Sequence, residues 1–400
     1  MSRTEAEWSQ RPRLAPREYV STQVYTDPDI FAREREQIHR AVWKFACHES
    51  ELASVNDFRT FDHAGTPLVV VRGPDRVIRT FVNSCSHRGA LVVREAAGNA
   101  ADWTCLFHHW MYDSSGACTA IPRDQAYAES GICKAESGLR AVRTAVRLGM
   151  VFVNLDDGAP TFEDYVGDAF EQLEPVMGAE PLEVIQLYRN VVNANWKLLQ
   201  EVQMELYHES LHFVNRQVAM GAPGYFARKW KIYPNAHGTL EPMQQKYEVI
   251  KGWEQRGEKT LPGLKPGEFR IVDLFPDTCI IVRTTVMRID TMVPLGPDKT
   301  LLESRGLGLK GESAEDRALR TKHHNQYWGP FGRNYAEDVI APEAVHRAIK
   351  EGGTPYGLFA RHEDERGQDD VLVRSFYAEW SRRMGVAASD PKARAIRAAE

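Results

Sequence analysis

The sequence predicts an α+β protein in which a small β domain precedes a larger domain of helices and antiparallel strands. Three observations support this order. Short β runs fill residues 43–155, the turn formers DDGAP at 156–160 end them, and helical spacing then alternates with a β meander. We therefore expect an N-terminal arm and helix at 1–40, packed on the C-terminal domain, a β domain at 41–157 and an α+β domain at 158–400.

The β domain is predicted from two kinds of pattern. In TPLVVVRGPDRVIRTFVN, two apolar runs flank Gly73-Pro74-Asp75, which is typical of a β-hairpin. GMVFVNL at 149–155 predicts a further strand.

The C-terminal domain is predicted to begin with a helix capped by Thr161. A helix is expected over about 195–215, and a meander over 269–309 with the strands FRIVDLF, CIIVRTTVMRIDTMV and TLLESRGLGL. Ser313 caps another predicted helix, and two more are expected near 338–349 and 371–384.

Composition excludes several function classes. The 400 residues carry a net charge of −5, which gives no basic excess for binding nucleic acid. No apolar run approaches the roughly 20 residues that span a membrane, and the polar start resembles no secretory signal. Six cysteines in a chain of this length do not make a disulfide scaffold, so we expect a cytoplasmic protein.

Two cysteine–histidine pairs in the β domain predict a metal centre. Cys85-x-His87 and Cys105-x-x-His108 are separated by the seventeen residues 88–104. A zinc finger usually has two cysteines on one loop and two histidines on the other, whereas here each loop supplies one of each. This arrangement suits a [2Fe–2S] cluster with one iron held by thiolates and the other by imidazoles.

A second candidate metal site lies in ELYHESLHF at 205–213. His208-Glu209-Ser210-Leu211-His212 has the H-E-x-x-H pattern of zinc peptidases, with Glu209 as their general base. On a helix, His208 and His212 project from one face and can share one metal ion. The motif alone leaves zinc hydrolysis and iron chemistry open, but an electron-transfer cluster has no task in peptide hydrolysis.

On these motifs the chain resembles the Rieske non-heme iron oxygenases, specifically the large (α) subunit of aromatic-ring-hydroxylating oxygenases. The resemblance covers most of the chain, and HESELASVNDF at 48–58 is similar to the benzoate, anthranilate and salicylate branch. It implies an all-β Rieske [2Fe–2S] domain, followed by a catalytic domain of antiparallel sheet and helices with a helix-grip, START-like fold.

The resemblance also implies roles for individual residues. The family's N-W-K, acidic residue and D-x-Y-H segments match Asn195-Trp196-Lys197, Glu201 and Glu205-Leu206-Tyr207-His208. WGPFGRNYAEDVIAPEAV matches the later region, where Asp338 stands at the family's carboxylate ligand. His208, His212 and Asp338 would then hold Fe(II), with open positions for O2. Glu205 would carry an electron from the cluster of a neighbouring subunit.

Three departures from the family pattern concern this second site. Position 205 is Glu rather than the usual Asp, and Val202 stands where Asn is frequent. His212 follows His208 after three residues rather than four. The acid function is kept, so we expect electron transfer to be retained, and a Glu bridge also occurs in relatives that act on quaternary ammonium compounds.

The substrate pocket is expected beside the metal site and the meander. Its candidate lining residues are Val202, Leu206, Phe213, Val218 and Met220. The cations Arg216, Arg228, Lys229, Arg283 and Arg288 are candidates to pair with a substrate carboxylate, although such side chains usually lie on a solvated surface.

The implied function is that of a terminal oxygenase component. It uses O2 and electrons from an NAD(P)H reductase, with or without a ferredoxin, to hydroxylate or dihydroxylate an aromatic acid or amine. The implied assembly is a homotrimer or an α3β3 hexamer with a small β subunit. The alternatives are oxidative demethylation or cleavage of an amine or quaternary ammonium compound and, more remotely, zinc-dependent peptide hydrolysis.

Overall fold

The computed structural model describes residues 4–218, 220–221, 224–244, 259–330 and 332–392, with the side chain of Val218 excepted. The chain divides into two compact units. One unit is His39–Phe162, and the other combines Met1–Ile38 with Glu163–Glu400. The α+β class predicted from the sequence is confirmed.

The unit His39–Phe162 contains two antiparallel sheets. The larger sheet has, in spatial order, the strands Lys44–His48, Met150–Asn154, Ala141–Arg147, Ile78–Val82, Thr66–Arg72, Asp57–His63 and Ala97–Asn99. The smaller sheet has the strands Asp102–Thr104, Met111–Asp113 and Cys118–Ala120. The predicted hairpin and the predicted strand near 149–155 are both confirmed.

Side-chain alternation along one strand of this unit separates two apolar cores. In Thr66–Arg72, Leu68 and Val70 belong to one buried cluster, while Val69 and Val71 belong to the other. This is the period-two pattern of a strand that is buried on both faces. The second cluster includes Cys85 and Cys105, so the candidate metal loops are anchored in a core.

The larger unit contains a seven-stranded antiparallel sheet with helices. The strands run, in spatial order, Leu182–Val192, Lys299–Leu309, Val286–Gly296, Thr278–Arg283, Glu268–Leu274, Gly238–Gln244 and Trp230–Ile232. A separate two-stranded ribbon pairs Tyr19–Ser21 with Tyr356–Leu358.

Within the described ranges, most helices are short and three are long. The short α-helices are Glu5–Trp8, Gln23–Thr26, Pro28–Glu34, Phe162–Val166, Glu174–Met177, Trp196–Glu201 and Phe213–Val218. The long helices are Ala314–Tyr327, Arg333–Lys350 and Val371–Met384. Arg35–His39 forms a π-helix, and 3₁₀ turns span Pro16–Glu18, Glu49–Leu52, Asp124–Ser130, Lys134–Glu136, Gly167–Phe170, Tyr207–Leu211 and Pro234–Ala236.

The helix Arg333–Lys350 contains a buried proline in its interior, Pro342. Proline has no N–H, so it cannot donate the helical hydrogen bond to the residue four positions earlier. No helix in the described part of the chain is both long and apolar enough to span a membrane.

The single strand predicted at 279–293 is wrong, because the chain turns back within it. Thr278–Arg283 and Val286–Gly296 form a hairpin in which Arg283 pairs with Val286. Thr284, at φ 53°, makes the turn in a backbone region that β-branched residues rarely adopt. No Gly, Pro or Asn announces this turn in the sequence.

The single helix predicted at 195–215 is also wrong. Trp196–Glu201 ends first, Tyr207–Leu211 is a separate 3₁₀ turn, and Phe213–Val218 is a further helix. The Leu206 N–H donates to the Gly367 carbonyl at 2.7 Å, which takes the backbone out of the helical path. The Glu205 carboxylate then accepts the N–H groups of Tyr207 and His208 and starts the next turn.

Candidate functional site

Two loops of matching geometry carry the cysteine–histidine pairs in the unit His39–Phe162. The Cys85 N–H donates to the Ala90 carbonyl at 2.8 Å, and the Cys105 N–H donates to the Trp110 carbonyl at 2.8 Å. The Cys85 carbonyl accepts from Gly89, and the Cys105 carbonyl accepts from His109, both at 2.9 Å. Gly89 and His109 both have positive φ, at 76° and 59°. His109 therefore takes the turn position that Gly89 takes in the first loop.

The side chains of these loops bring together thiol and imidazole groups that can bind a metal. Cys85 and Cys105 are buried, at 4% and 1% exposure. The rings of His87 and His108 lie 4.5 Å apart, and His87 stacks on Trp110 at 5.0 Å. His87 Nδ1 is buried without a hydrogen-bond partner among the described residues, as a nitrogen reserved for a metal would be. Two thiols and two imidazoles fit a [2Fe–2S] cluster of the Rieske type.

A second donor set lies in the larger unit, where His208, His212 and Asp338 meet. Asp338 Oδ1 is 3.5 Å from His208 Nε2 and 3.2 Å from His212 Nε2, and the three potential ligand atoms all lie within 4.8 Å of one another. Adjacent ligands at bond lengths of about 2.1 Å are roughly 3 Å apart, so this spacing suits one metal ion. In the part of the chain that the structure describes, Asp338 Oδ1 is buried without a hydrogen-bond partner, which also fits a metal ligand.

Each histidine is oriented by a carboxylate on its other nitrogen. Glu205 Oε1 lies 2.7 Å from His208 Nδ1, and Glu337 Oε2 lies 3.0 Å from His212 Nδ1. These contacts direct both Nε2 atoms toward Asp338 and strengthen the imidazoles as ligands. Glu337 was not predicted from the sequence, although its position directly before Asp338 was an available signal.

The electrostatics of the triad favour a bound cation. Burial alone raises the pKa of Asp338, but the imidazoles of His212 and His208 outweigh burial and bring it well below its usual range. Burial alone lowers the pKa of His208, but Glu205 and Asp338 outweigh burial and raise it well above its usual value. The site therefore stabilises positive charge, as a 2-His-1-carboxylate iron site requires.

The triad lies in the wall of a cavity within the larger unit. Its apolar lining is Val202, Leu206, Phe269, Ile271, Ile281 and Trp328. Its polar lining, apart from the triad, is Gln203, Glu209, Asn215, Arg283, Arg288 and Asn334.

The predicted pocket residues differ in their positions. Val202 and Leu206 line this cavity, whereas Phe213, at 37% exposure, and Met220 are not among its described lining residues. His212 has an extended backbone, so the helix that begins at Phe213 does not continue the turn that carries His208. The side chain of Val218 lies outside the described residues.

Three of the five candidate cations are buried, namely Arg228, Arg283 and Arg288, and the last two line the cavity. Glu209, which had no role in the iron interpretation of the sequence, also lines it and accepts a 2.6 Å hydrogen bond from Asn215 Nδ2.

Glu201 lies close to the triad in sequence but has a different environment. Its Oε1 accepts a 2.8 Å hydrogen bond from the Tyr25 hydroxyl and another from the Tyr377 hydroxyl. Burial raises the pKa of Glu201 to about 7, although both hydroxyls act in the opposite direction.

The raised pKa of Glu201 predicts a specific pH dependence of stability. The folded state binds this proton more tightly than the unfolded state, so the stabilisation is complete below about pH 4.5 and is lost as the pH rises to about 7. Glu201→Gln should remove this dependence, which amounts to about 3 kcal/mol in unfolding free energy. Urea unfolding of both proteins at pH 5 and pH 8 measures it. An equal difference between the two proteins at both pH values would contradict it.

Comparisons with known proteins match both parts of the chain. Residues 42–139 match the Rieske [2Fe-2S] domain, and residues 162–386 match the catalytic domain of the ring hydroxylating alpha subunit. The chain is 46% identical over 386 residues to the α subunit of 2-aminobenzenesulfonate 2,3-dioxygenase from Alcaligenes sp., covering 96% of this chain and 98% of the relative. It is 36% identical to the α subunit of the methanesulfonate monooxygenase hydroxylase from Methylosulfonomonas methylovora, covering 98% of this chain and 97% of the relative.

Solved structures share the fold. Naphthalene 1,2-dioxygenase from Rhodococcus sp. matches with a TM-score of 0.78 at 23% identity, covering 91% of this chain and 94% of that one. A quaternary ammonium Rieske monooxygenase matches with a TM-score of 0.75 at 22% identity, covering 94% of this chain and 100% of that one. The chain therefore belongs to the family of ring-hydroxylating oxygenase α subunits, with a Rieske [2Fe–2S] domain and a catalytic domain that uses mononuclear iron.

Proposed function

We propose that the chain is the oxygen-inserting component of a multicomponent oxygenase that hydroxylates or dihydroxylates an aromatic acid or amine. The observation that carries this proposal is the triad of His208, His212 and Asp338 at the wall of a partly aromatic cavity. These residues would hold Fe(II), and the bound iron would supply the activation of O2. The chain's own residues position the substrate and orient the ligands.

The electron-transfer centre is assigned to the paired loops of the other unit. Cys85 and Cys105 would hold one iron of the cluster, and His87 and His108 would hold the other. The family works with reductase or ferredoxin partners, and we expect an NAD(P)H reductase here, either directly or through a ferredoxin. Because NAD(P)H is a cytoplasmic reductant, we expect the protein in the cytoplasm.

Glu205 is assigned as the bridge between subunits. Its carboxylate contacts His208 and keeps 15% of its side-chain surface exposed, so a second donor can reach it. His108 is partly exposed, and its ring makes no hydrogen bond to any described residue, which suits it to donate to Glu205 of a neighbouring chain. Such a route needs a ring of subunits, either a homotrimer or an α3β3 hexamer.

The proposed substrate class is inferred from the names of the relatives and from the residues that line the cavity. The relatives matched over most of their length are named for 2-aminobenzenesulfonate, methanesulfonate, terephthalate and anthranilate. Oxidation of a quaternary ammonium compound is the alternative, and the lining, which holds Glu209 and Asp338 beside Arg283 and Arg288, carries both signs of charge. Peptide hydrolysis gains no support from the family to which the chain belongs.

Metal content and O2 consumption test this function. The purified protein should contain about three iron atoms per chain, two in the cluster and one in the triad. With a reductase and NAD(P)H, it should consume O2 when supplied with aminobenzenesulfonates, benzoates or anilines. Zinc in place of iron, or O2 uptake that none of these compounds stimulates, would overturn the proposal.

A further inference from the structure

Arg288 is held rigidly at the wall of the cavity. It lies two residues before Asp290 on the strand Val286–Gly296, and its Nε donates to Asp290 Oδ2 at 2.7 Å. The guanidinium group also lies 3.3 Å from the ring centre of Trp328. One edge and one face of the group are therefore fixed.

Asp290 is itself fully buried and firmly positioned. Its Oδ1 accepts hydrogen bonds from the Ser304 hydroxyl at 2.6 Å and from Trp328 Nε1 at 2.8 Å. The Trp328 indole thus donates a hydrogen bond to Asp290 and stacks against the guanidinium group of Arg288. A buried carboxylate with these partners sets the orientation of Arg288 before any ligand arrives, which lowers the entropic cost of binding.

The remaining edge of Arg288 has spare donor capacity. Its Nη2 makes only a long 3.4 Å contact with Gln203 Oε1, and Nη1 has no acceptor among the described residues. Arg288 and Gln203 both line the cavity that contains the iron triad. Arg288 is 9% exposed, and an oxyanion is the partner that suits the fork geometry of its remaining N–H groups.

Resting on the function proposed above, we propose that Arg288, assisted by Gln203, is the subsite for the anionic substituent of the substrate. The substituent is a sulfonate or a carboxylate, and the ring that bears it packs against the apolar wall beside Trp328. Anchoring of the substituent at Arg288 determines which ring carbons face His208, His212 and Asp338. Arg288 is thus a specificity residue, and Asp290 is its positioning residue.

Equilibrium binding to the iron-loaded, full-length protein without O2 tests the subsite separately from turnover. The probes form two pairs of similar shape and different charge, benzoate with benzamide and benzenesulfonate with benzenesulfonamide. The wild-type protein should bind each anion about 10- to 100-fold more tightly than its neutral partner, as measured by calorimetry. Comparison of the two pairs shows whether carboxylate or sulfonate is preferred.

Arg288→Lys is the principal variant, because lysine keeps a positive charge near Asp290 but loses the planar fork. It should weaken binding of the anions at least about 10-fold and leave the neutral probes nearly unchanged. Gln203→Leu, which keeps the Arg288–Asp290 pair, should give a smaller loss with the same selectivity. Arg320→Lys is the matched control, since Arg320 is buried and paired with Glu312 but does not line the cavity.

The proposal fails if wild-type protein binds neither anion more tightly than its neutral partner. It also fails if Arg288→Lys weakens anionic and neutral probes equally, because Arg288 would then only shape the pocket. Anion selectivity in a protein that consumes no O2 would preserve the subsite and overturn the proposed function. Substrate-stimulated O2 uptake without anion selectivity would preserve the proposed function and overturn the subsite.

Discussion

Asp338→Ala should abolish substrate turnover while leaving the visible spectrum of the [2Fe–2S] cluster unchanged. Asp338 is the only carboxylate of the triad, and its Oδ1 lies 3.5 Å from His208 Nε2 and 3.2 Å from His212 Nε2. Loss of a residue that only supports a ligand costs about 10- to 100-fold in metal affinity or activity, so loss of a ligand should cost more. Iron content should fall from about three to about two atoms per chain.

Glu351→Ala is the matched control, because Glu351 directly follows the same helix and its side chain is 71% exposed. It should keep its full iron content and turnover. Metal analysis, the visible spectrum and O2 uptake together measure the outcome. If Asp338→Ala retained the third iron and turned over substrate, Asp338 would not be a ligand.

Glu205→Gln should block turnover at a different step. The amide keeps the size of the side chain but loses the charge through which Glu205 contacts His208. The cluster should still be reduced by its electron donor, because the cysteine and histidine loops are untouched. Stopped-flow absorbance should show that reoxidation of the reduced cluster by O2 and substrate slows by about 100-fold or more.

Glu337→Gln separates a bridge from a simple support, because both glutamates contact a candidate ligand histidine. Glu337→Gln should lower iron affinity by about 10- to 100-fold, and excess Fe(II) should restore its turnover. Excess Fe(II) should not restore Glu205→Gln. Equal losses in both variants, each restored by iron, would reduce Glu205 to a positioning residue for His208.

The sequence predicted the metal chemistry better than the local structure. The Cys85/His87 and Cys105/His108 pairs and the pair His208/His212 could be named from residue type and spacing, whereas Asp338 could be named only from the resemblance to the oxygenase family. The hairpin at Thr284 could not be predicted, because a β-branched residue at positive φ gives no turn signal. That missed turn leads into the strand that carries Arg288 and Asp290.

The prediction of one helix around the H-E-x-x-H motif was wrong for a related reason. Its apolar spacing suits one continuous helix, but long-range bonds such as Leu206 to Gly367 decide the backbone path. His208 and His212 meet nonetheless, with ring centres 5.1 Å apart, although His212 lies just beyond the 3₁₀ turn in an extended conformation. The pairing was therefore predicted correctly on an incorrect helix.

Pro342 removes a backbone hydrogen bond from the helix beside the candidate iron site. It lies four residues after Asp338, so the Asp338 carbonyl is the one that receives no helical hydrogen bond from it. The candidate ligand Asp338 thus lies where its own helix lacks one backbone hydrogen bond. A small backbone adjustment at this turn would break no hydrogen bond from position 342, while His208 and His212 keep their contacts with Glu205 and Glu337.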